Sequence, residues 1–186
     1  VSVSGRGAPR PAPGRAGARS VPGEGKTVTR WNLAAALAKK GRRVLLVDFD
    51  LRRPRLAGIF PMPAQWLGLL DALTRNVSDY ERLIYPIAAC PKLDVIASRP
   101  NHGASPIEAV GAPAAADLLA WARANYDHVV LDVPPLGLVS DTLALAPLAD
   151  FILVAIRPEV SRKRLTLHTL QRLRDSGIHA LGIIVN

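Results

Sequence analysis

Residues 20–27 read Ser-Val-Pro-Gly-Glu-Gly-Lys-Thr and lead directly into an alanine- and leucine-rich segment, residues 27–40 (TVTRWNLAAALAKK). The two glycines permit backbone angles that turn successive N–H groups towards one anion. The helix expected to follow adds the positive end of its dipole at the same point. A simple proline–glycine turn would account for the glycines, but not for Gly-Lys-Thr at a helix start. This stretch therefore predicts a phosphate-binding loop.

The residue types of this loop match the chemistry of a nucleotide with magnesium. The ammonium of Lys26 can reach β- and γ-phosphate oxygens, and the hydroxyl of Thr27 can ligate Mg²⁺. Ser20 stands where the general pattern of such loops has its first glycine. We expect ATP and Mg²⁺ as cofactors. The predicted nucleotide-binding residues are Val21, Pro22, Gly23, Glu24, Gly25, Lys26 and Thr27.

Carboxylates follow two short apolar runs that are typical of buried parallel strands. Residues 44–47 precede Asp48 and Asp50, and residues 129–131 precede Asp132. Open α/β sheets bind ligands at the carboxyl ends of their strands, and Mg²⁺ prefers such oxygen ligands. A single aspartate there would usually be a cap or turn former. With a phosphate loop nearby, we expect the three carboxylates to converge on one cation, or one of the first pair to deprotonate a hydroxyl.

Helix and strand signals alternate after the phosphate loop. This alternation predicts a three-layer α/β fold in which helices cover both faces of a mostly parallel central sheet. We expect strands at residues 44–47, 93–97, 128–131, 151–156 and 181–185, and helices at residues 27–40, 67–73, 79–84, 113–125, 142–148 and 161–176.

The amino-terminal segment differs in composition from the rest of the chain. Residues 1–19 are mostly Gly, Ala, Pro, Ser and Arg and are expected to be a disordered basic tail. Residues 20–186 are expected to be the nucleotide-binding domain. Residues 14–19, just before the phosphate loop, form a poor strand, and a missing strand would leave the central slot of the sheet unfilled.

The bulk composition restricts the class of protein. The chain has 186 residues, of which 49% are hydrophobic, and this suits one globular domain. No apolar run approaches the ~20 residues needed to cross a bilayer. A single cysteine, Cys90, cannot form an internal disulfide, so we expect a reducing, cytoplasmic compartment. The formal net charge of +9 favours anionic partners, although an arginine-rich proteome explains it equally well.

Three motifs together resemble the bacterial tyrosine kinases of capsule and exopolysaccharide assembly, which belong to the wider ParA/MinD-like P-loop group. They are the phosphate loop, the run LLVDFDLRRPRL at residues 45–56 and the run VVLDVPP at residues 129–135. They correspond to the Walker A, Walker A′ and Walker B motifs of that family. The resemblance extends over residues 20–186.

The resemblance implies a kinase that transfers the γ-phosphoryl group of ATP to protein tyrosine. Such kinases work beside a membrane-spanning polysaccharide chain-length regulator at the inner face of the cell membrane. The expected partners are this regulator, a tyrosine-containing protein substrate and further copies of the chain, with no nucleic acid. The implied catalytic residues are Lys26, Asp48, Asp50 and Asp132, the implied metal ligands are Thr27, Asp50 and Asp132, and Asn186 would approach the adenine.

The chain departs from the family pattern in four respects. It has no good strand just before the phosphate loop, no C-terminal tyrosine cluster, no upstream Glu-x-x-Arg-x-x-Arg motif and no membrane segment. The domain is therefore expected to be truncated at both ends. Two other functions fit the motifs. One is a ParA/MinD-type ATPase, although Val21 stands where those relatives carry an extra lysine. The other is a non-catalytic nucleotide-binding partner subunit.

Overall fold

The structure is a computed structural model in which one sheet carries helices on both faces. For residues 2–5 and 25–27, only the backbone is described. The described residues are 2–5, 25–63, 65–75, 77, 79–99, 113–134, 145, 148–156, 163–175, 177 and 180–185.

Within the described residues, seven strands form one sheet, and helices lie between most of the successive strands. The order of elements is β1 Ser2–Gly5, α1 Gly25–Lys39, β2 Val44–Asp48, α2 Leu56–Ile59, α3 Leu69–Arg75, a 3₁₀ turn Tyr80–Leu83, β3 Tyr85–Pro86, β4 Leu93–Ile96, α4 Pro113–Asn125, β5 His128–Asp132, β6 Phe151–Ile156, α5 Lys163–Asp175 and β7 Ala180–Val185.

The order of the strands in the sheet is β3-β4-β2-β5-β1-β6-β7. Strand β2 runs parallel to β4 and β5, and β6 runs parallel to β7. Strands β1 and β3 are antiparallel to their neighbours. This confirms the predicted mostly parallel α/β fold, and the predicted strands and helices fall on observed elements. The exception is the expected helix at residues 142–148, which lies mostly outside the described residues.

The central strand β2 is buried on both faces because its side chains alternate between two apolar clusters. Leu45 and Val47 pack with α3 and α4, whereas Val44 and Leu46 pack with α1 and α2. All four side chains are fully buried. The continuous apolar run that predicted this strand therefore follows from its position between two helical layers.

Helix α1 lies close to the sheet because its buried face carries small side chains. Ala34 and Ala38, one helical turn apart, are buried in the cluster that contains Val44. The helix ends before Gly41, which has a φ of 82° and whose N–H donates to the carbonyl of Ala38 at 2.9 Å. This left-handed end confirms the helix stop predicted at that glycine.

Strand β1 corrects the expectation that residues 1–19 are entirely disordered. Residues 2–5 pair antiparallel with β5, from Ser2 opposite Leu131 to Gly5 opposite His128, and with β6 on the other side. The slot between β5 and β6 is thus occupied by a strand. The alternating Ser-Val-Ser pattern suits a strand, but the Gly- and Pro-rich composition of the whole segment concealed it. Residues 6–19 lie outside the described residues.

Candidate nucleotide and metal site

The candidate site lies where the start of α1 meets the carboxyl ends of β2 and β5. Helix α1 begins at Gly25, inside the Gly-Lys-Thr sequence, so these residues open the helix as the phosphate-loop pattern predicts. Residues 20–24 and 186 lie outside the described residues. The nucleotide contacts assigned to these residues, Val21, Pro22, Gly23, Glu24 and Asn186, and the roles of Gly25, Lys26 and Thr27 remain predictions.

Two of the predicted carboxylates end neighbouring strands side by side. Asp48 closes β2 and Asp132 closes β5, and the two residues are register partners. The N–H of Phe49 donates to the carbonyl oxygen of Asp132 at 2.8 Å and continues the pairing beyond the strand. Both aspartates are buried, at 1% and 2% exposure. The parallel register of β2 and β5 therefore brings together two motifs that are 84 positions apart (132 − 48).

Asp48 binds the backbone of the turn that follows it. Its Oδ2 accepts hydrogen bonds from the N–H groups of Arg55 at 3.0 Å and Leu56 at 3.1 Å, and its Oδ1 accepts one from Asp50 at 3.2 Å. Its carbonyl oxygen accepts a hydrogen bond from the buried Ser98 hydroxyl at 2.7 Å. This carboxylate therefore holds the Asp-x-Asp-x-Arg-Arg-Pro-Arg turn closed and anchors the start of α2.

The environment of Asp48 opposes its negative charge. The pKa of Asp48 is raised to about 7, mainly by burial and also by the nearby charge of Asp132, while three backbone hydrogen bonds act in the opposite direction. Like charges and burial both favour the neutral carboxyl form. Asp48 is thus poised to change its protonation state near neutral pH.

Asp50 is the most exposed of the three aspartates. It is half-buried, and its Oδ1 accepts a hydrogen bond from the N–H of Arg53 at 3.1 Å. Its charge is one of the influences that raise the pKa of Asp132. The side chain of Asp50 is therefore near enough to Asp132 for the two carboxylates to interact electrostatically.

Asp132 forms an ion pair with Arg30, a buried residue of α1 that the sequence analysis did not single out. One guanidinium nitrogen binds Oδ1 of Asp132, and the other donates to the carbonyl of Val133 at 2.8 Å. Burial raises the pKa of Asp132 to about 6, although Arg30 lowers it. The sequence did contain a signal for this contact, because Arg30 precedes Ala34 and Ala38 at four-residue steps on the buried face of α1.

The aspartates do not form a metal cage made of protein ligands alone. Across the described ranges, no three His, Cys, Asp or Glu side chains are grouped so that they could hold a metal ion. Both oxygens of Asp48 accept hydrogen bonds from backbone N–H groups, and the convergence of Asp48, Asp50 and Asp132 on one cation remains a prediction. Magnesium bound with a nucleotide needs only one or two carboxylates beside phosphate and water, and the chemistry of Asp50 and Asp132 suits it.

Comparisons with known proteins relate the chain to one family. A family model described as an AAA domain matches residues 19–176. The succinoglycan biosynthesis transport protein ExoP of Rhizobium meliloti is 34% identical over 173 residues, which cover 91% of this chain and 21% of ExoP. The tyrosine-protein kinase YwqD of Bacillus subtilis is 33% identical over 166 residues, which cover 89% of this chain and 68% of YwqD.

Solved structures of a tyrosine kinase domain and of a cell division protein also match this chain. The kinase domain of the Escherichia coli tyrosine kinase ETK matches with a TM-score of 0.80 and 29% identity, over 89% of this chain and 63% of that one. The MinD cell division protein of Aquifex aeolicus matches with a TM-score of 0.67 and 27% identity, over 89% of this chain and 65% of that one.

The fold and the site define a P-loop domain of the AAA type. Within that class, the chain belongs to the family of bacterial tyrosine kinases, as its sequence motifs predicted. The chain spans 21–22% of the length of the first curated relatives that it matches. In the described part of the chain, no helix is long and apolar enough to cross a membrane.

Proposed function

We propose that residues 20–186 form a kinase domain that binds ATP with Mg²⁺ and transfers the γ-phosphoryl group to a tyrosine hydroxyl of a protein. The observation that carries this proposal is the register pairing of Asp48 with Asp132 beside the Gly-Lys-Thr start of α1. Phosphoryl transfer requires positioning and charge stabilisation of the phosphates, and both carboxylates lie where an α/β sheet binds its ligand.

The individual roles follow from the contacts of each residue. Lys26 would bind the β- and γ-phosphates, and Thr27 with Asp132 and Asp50 would hold Mg²⁺, which supplies positive charge to the phosphate oxygens. Asp48 already accepts three backbone hydrogen bonds, so its main contribution would be the shape of the turn. Asp50 is more exposed and would face the reacting groups, either beside the metal or as the acceptor of the tyrosine proton.

We further propose that the domain works in exopolysaccharide or capsule production at the inner face of the cell membrane. The name of ExoP links a relative to succinoglycan biosynthesis and transport. A membrane-spanning chain-length regulator, a tyrosine-containing protein and further copies of this chain would be the partners. The formal net charge of +9 suits an anionic membrane face.

A phosphotransfer assay tests the activity. The purified chain is incubated with γ-labelled ATP, Mg²⁺ and a tyrosine-rich acceptor peptide, and phosphotyrosine is detected. We expect transfer by the wild type and its loss in Lys26→Ala and Asp132→Asn. Absence of phosphotyrosine with folded, nucleotide-bound protein would contradict the kinase proposal.

The similarity to MinD supports one other function, that of a positioning ATPase. Such a protein would dimerise on binding ATP and would hydrolyse it faster with DNA or lipid vesicles. Light scattering in the presence of ATP measures dimerisation, and phosphate release with and without vesicles measures stimulated hydrolysis. Together they distinguish a positioning ATPase from a kinase. Stimulated hydrolysis without phosphotyrosine would favour the positioning ATPase.

A further inference from the structure

Arg30 is a buried cation placed directly on the Walker B carboxylate. Its side chain is 7% exposed, and the carboxylate of Asp132 with which it pairs is 3% exposed. The second guanidinium nitrogen is held by the carbonyl of Val133 at 2.8 Å. Within the described part of the chain, the Nε of Arg30 has no hydrogen-bond acceptor, so the guanidinium is fixed by these two contacts.

The position of Arg30 in the chain connects it to the phosphate loop. It lies in the first half of α1, four residues after Lys26 and three after Thr27, and thus one helical turn beyond the residues expected to bind phosphate and metal. The next two residues on this helical row, Ala34 and Ala38, are small, apolar and buried. On this row, Arg30 therefore lies between Lys26 and two buried alanines.

The ion pair between Arg30 and Asp132 opposes the binding of a metal ion at the proposed site. A guanidinium keeps its charge at any pH at which the protein is folded, so it cannot leave Asp132 by losing a proton. A carboxylate that is paired with a guanidinium is a weaker ligand for a metal ion or its bound water, because the guanidinium already neutralises part of its negative charge. A buried carboxylate without a cation beside it would destabilise the fold, so the guanidinium of Arg30 stabilises Asp132 when no metal ion is bound.

We infer that Arg30 is a positioning residue that acts through Asp132, where its guanidinium competes with Mg²⁺ for the carboxylate. This inference rests on the proposed binding of Mg²⁺ with a nucleotide at this site. Binding of the metal requires Arg30 to withdraw from Asp132 or to share it. The chain thus binds Mg²⁺ more weakly than the same site would without the arginine, and Arg30 compensates the charge of Asp132 when no metal ion is bound.

A metal titration in the presence of saturating ADP tests this inference. Mn²⁺ is used as the probe, since its free form is measured directly by electron paramagnetic resonance. We expect Arg30→Gln to lower the Kd of Mn²⁺ by about tenfold, which lies within the range typical of coupling between two sites. Lys40→Gln removes the same charge from an exposed position just after α1 and should leave the Kd unchanged.

The remaining outcomes also decide the question. Arg30→Lys keeps a positive charge beside Asp132 but loses the planar fork, so its Kd should lie between those of wild type and Arg30→Gln. If Arg30→Gln does not fold, a Kd for Arg30→Lys equal to or above that of wild type overturns the inference. An unchanged or raised Kd for folded Arg30→Gln, with normal ADP binding, overturns it as well. Failure of the wild type to bind ADP would instead reject the proposed nucleotide site, and this inference with it.

Discussion

Asp48 and Asp132 lie opposite each other in the parallel register of β2 and β5, and both are almost completely buried. Their surroundings nevertheless differ. Asp48 is bound by backbone N–H groups of its own turn, whereas Asp132 is bound by the guanidinium of Arg30. Two aspartates that look equivalent in the sequence therefore make different contacts: Asp48 holds the backbone of its own turn, and Asp132 holds a guanidinium.

Replacing Asp48 tests its structural task. In Asp48→Ala, the N–H groups of Asp50, Arg55 and Leu56 lose their acceptor, so the free energy of unfolding should fall by roughly 1–3 kcal/mol. Urea denaturation measures this change. Asp79→Ala is the matched control, because Asp79 is exposed and makes no side-chain cap hydrogen bond to its 3₁₀ turn. Equal stability of the two variants would show that the turn does not depend on Asp48.

The buried carboxyl groups predict a characteristic pH dependence. The pKa values of Asp48, about 7, and Asp132, about 6, lie above that of an unfolded aspartate. At pH values between the unfolded and the folded pKa, the folded chain therefore binds more protons than the unfolded chain. The contribution of these groups to the free energy of unfolding should therefore be greatest below about pH 4 and should fall as the pH rises through about 6 and 7. Urea denaturation in metal-free buffer at several pH values measures it.

The double variant Asp48→Asn/Asp132→Asn is the control for this pH effect. It has no carboxyl group at either position, so its unfolding free energy should depend less on pH over the same interval. A wild-type stability that rises with pH more steeply than that of the double variant would contradict the raised pKa values.

Two glycines should respond differently to substitution by alanine. Gly41 has a φ of 82°, which an alanine adopts only with strain, so Gly41→Ala should lower the unfolding free energy by roughly 1 kcal/mol. Gly58 lies in α2 with no heavy atom within 4 Å of an added Cβ, so Gly58→Ala should leave stability unchanged or raise it slightly. Thermal denaturation compares the two. A larger loss for Gly58→Ala would contradict the assigned backbone geometry.

The unexpected strand β1 can be tested through its backbone. Val3→Pro removes an N–H group from a strand that lies between β5 and β6, and the unfolding free energy should fall by roughly 1–3 kcal/mol. Val3→Thr keeps both the N–H group and a β-branched side chain and should be nearly neutral. If proline is tolerated as well as threonine, residues 2–5 do not occupy the central slot in solution.

The sequence predicted those parts of the fold whose signal is local. The apolar run before Asp48, the one before Asp132 and the Gly-Lys-Thr at a helix start each determine an element on their own. Their meeting at one edge of the sheet then follows from the rule for parallel strands. The fold class and the location of the candidate site could therefore be derived without coordinates.

The features that the sequence did not reveal depend on partners distant in the chain. Strand β1 is stabilised by β5 and β6, which supply its hydrogen bonds, and four residues carry too weak a pattern alone. The contact between Arg30 and Asp132 spans 102 positions. The role of Asp48 as an acceptor for Arg55 and Leu56 depends on how the turn closes, which residue types do not specify.

The central claim is that ATP and Mg²⁺ bind where α1 begins and β2 and β5 end. A crystal structure with a non-hydrolysable ATP analogue and Mg²⁺ tests it most directly. We expect the triphosphate to lie against the Lys26 ammonium and Asp132 to ligate the metal ion directly or through one water. A nucleotide bound elsewhere, or a metal ion with no link to Asp132, would contradict it.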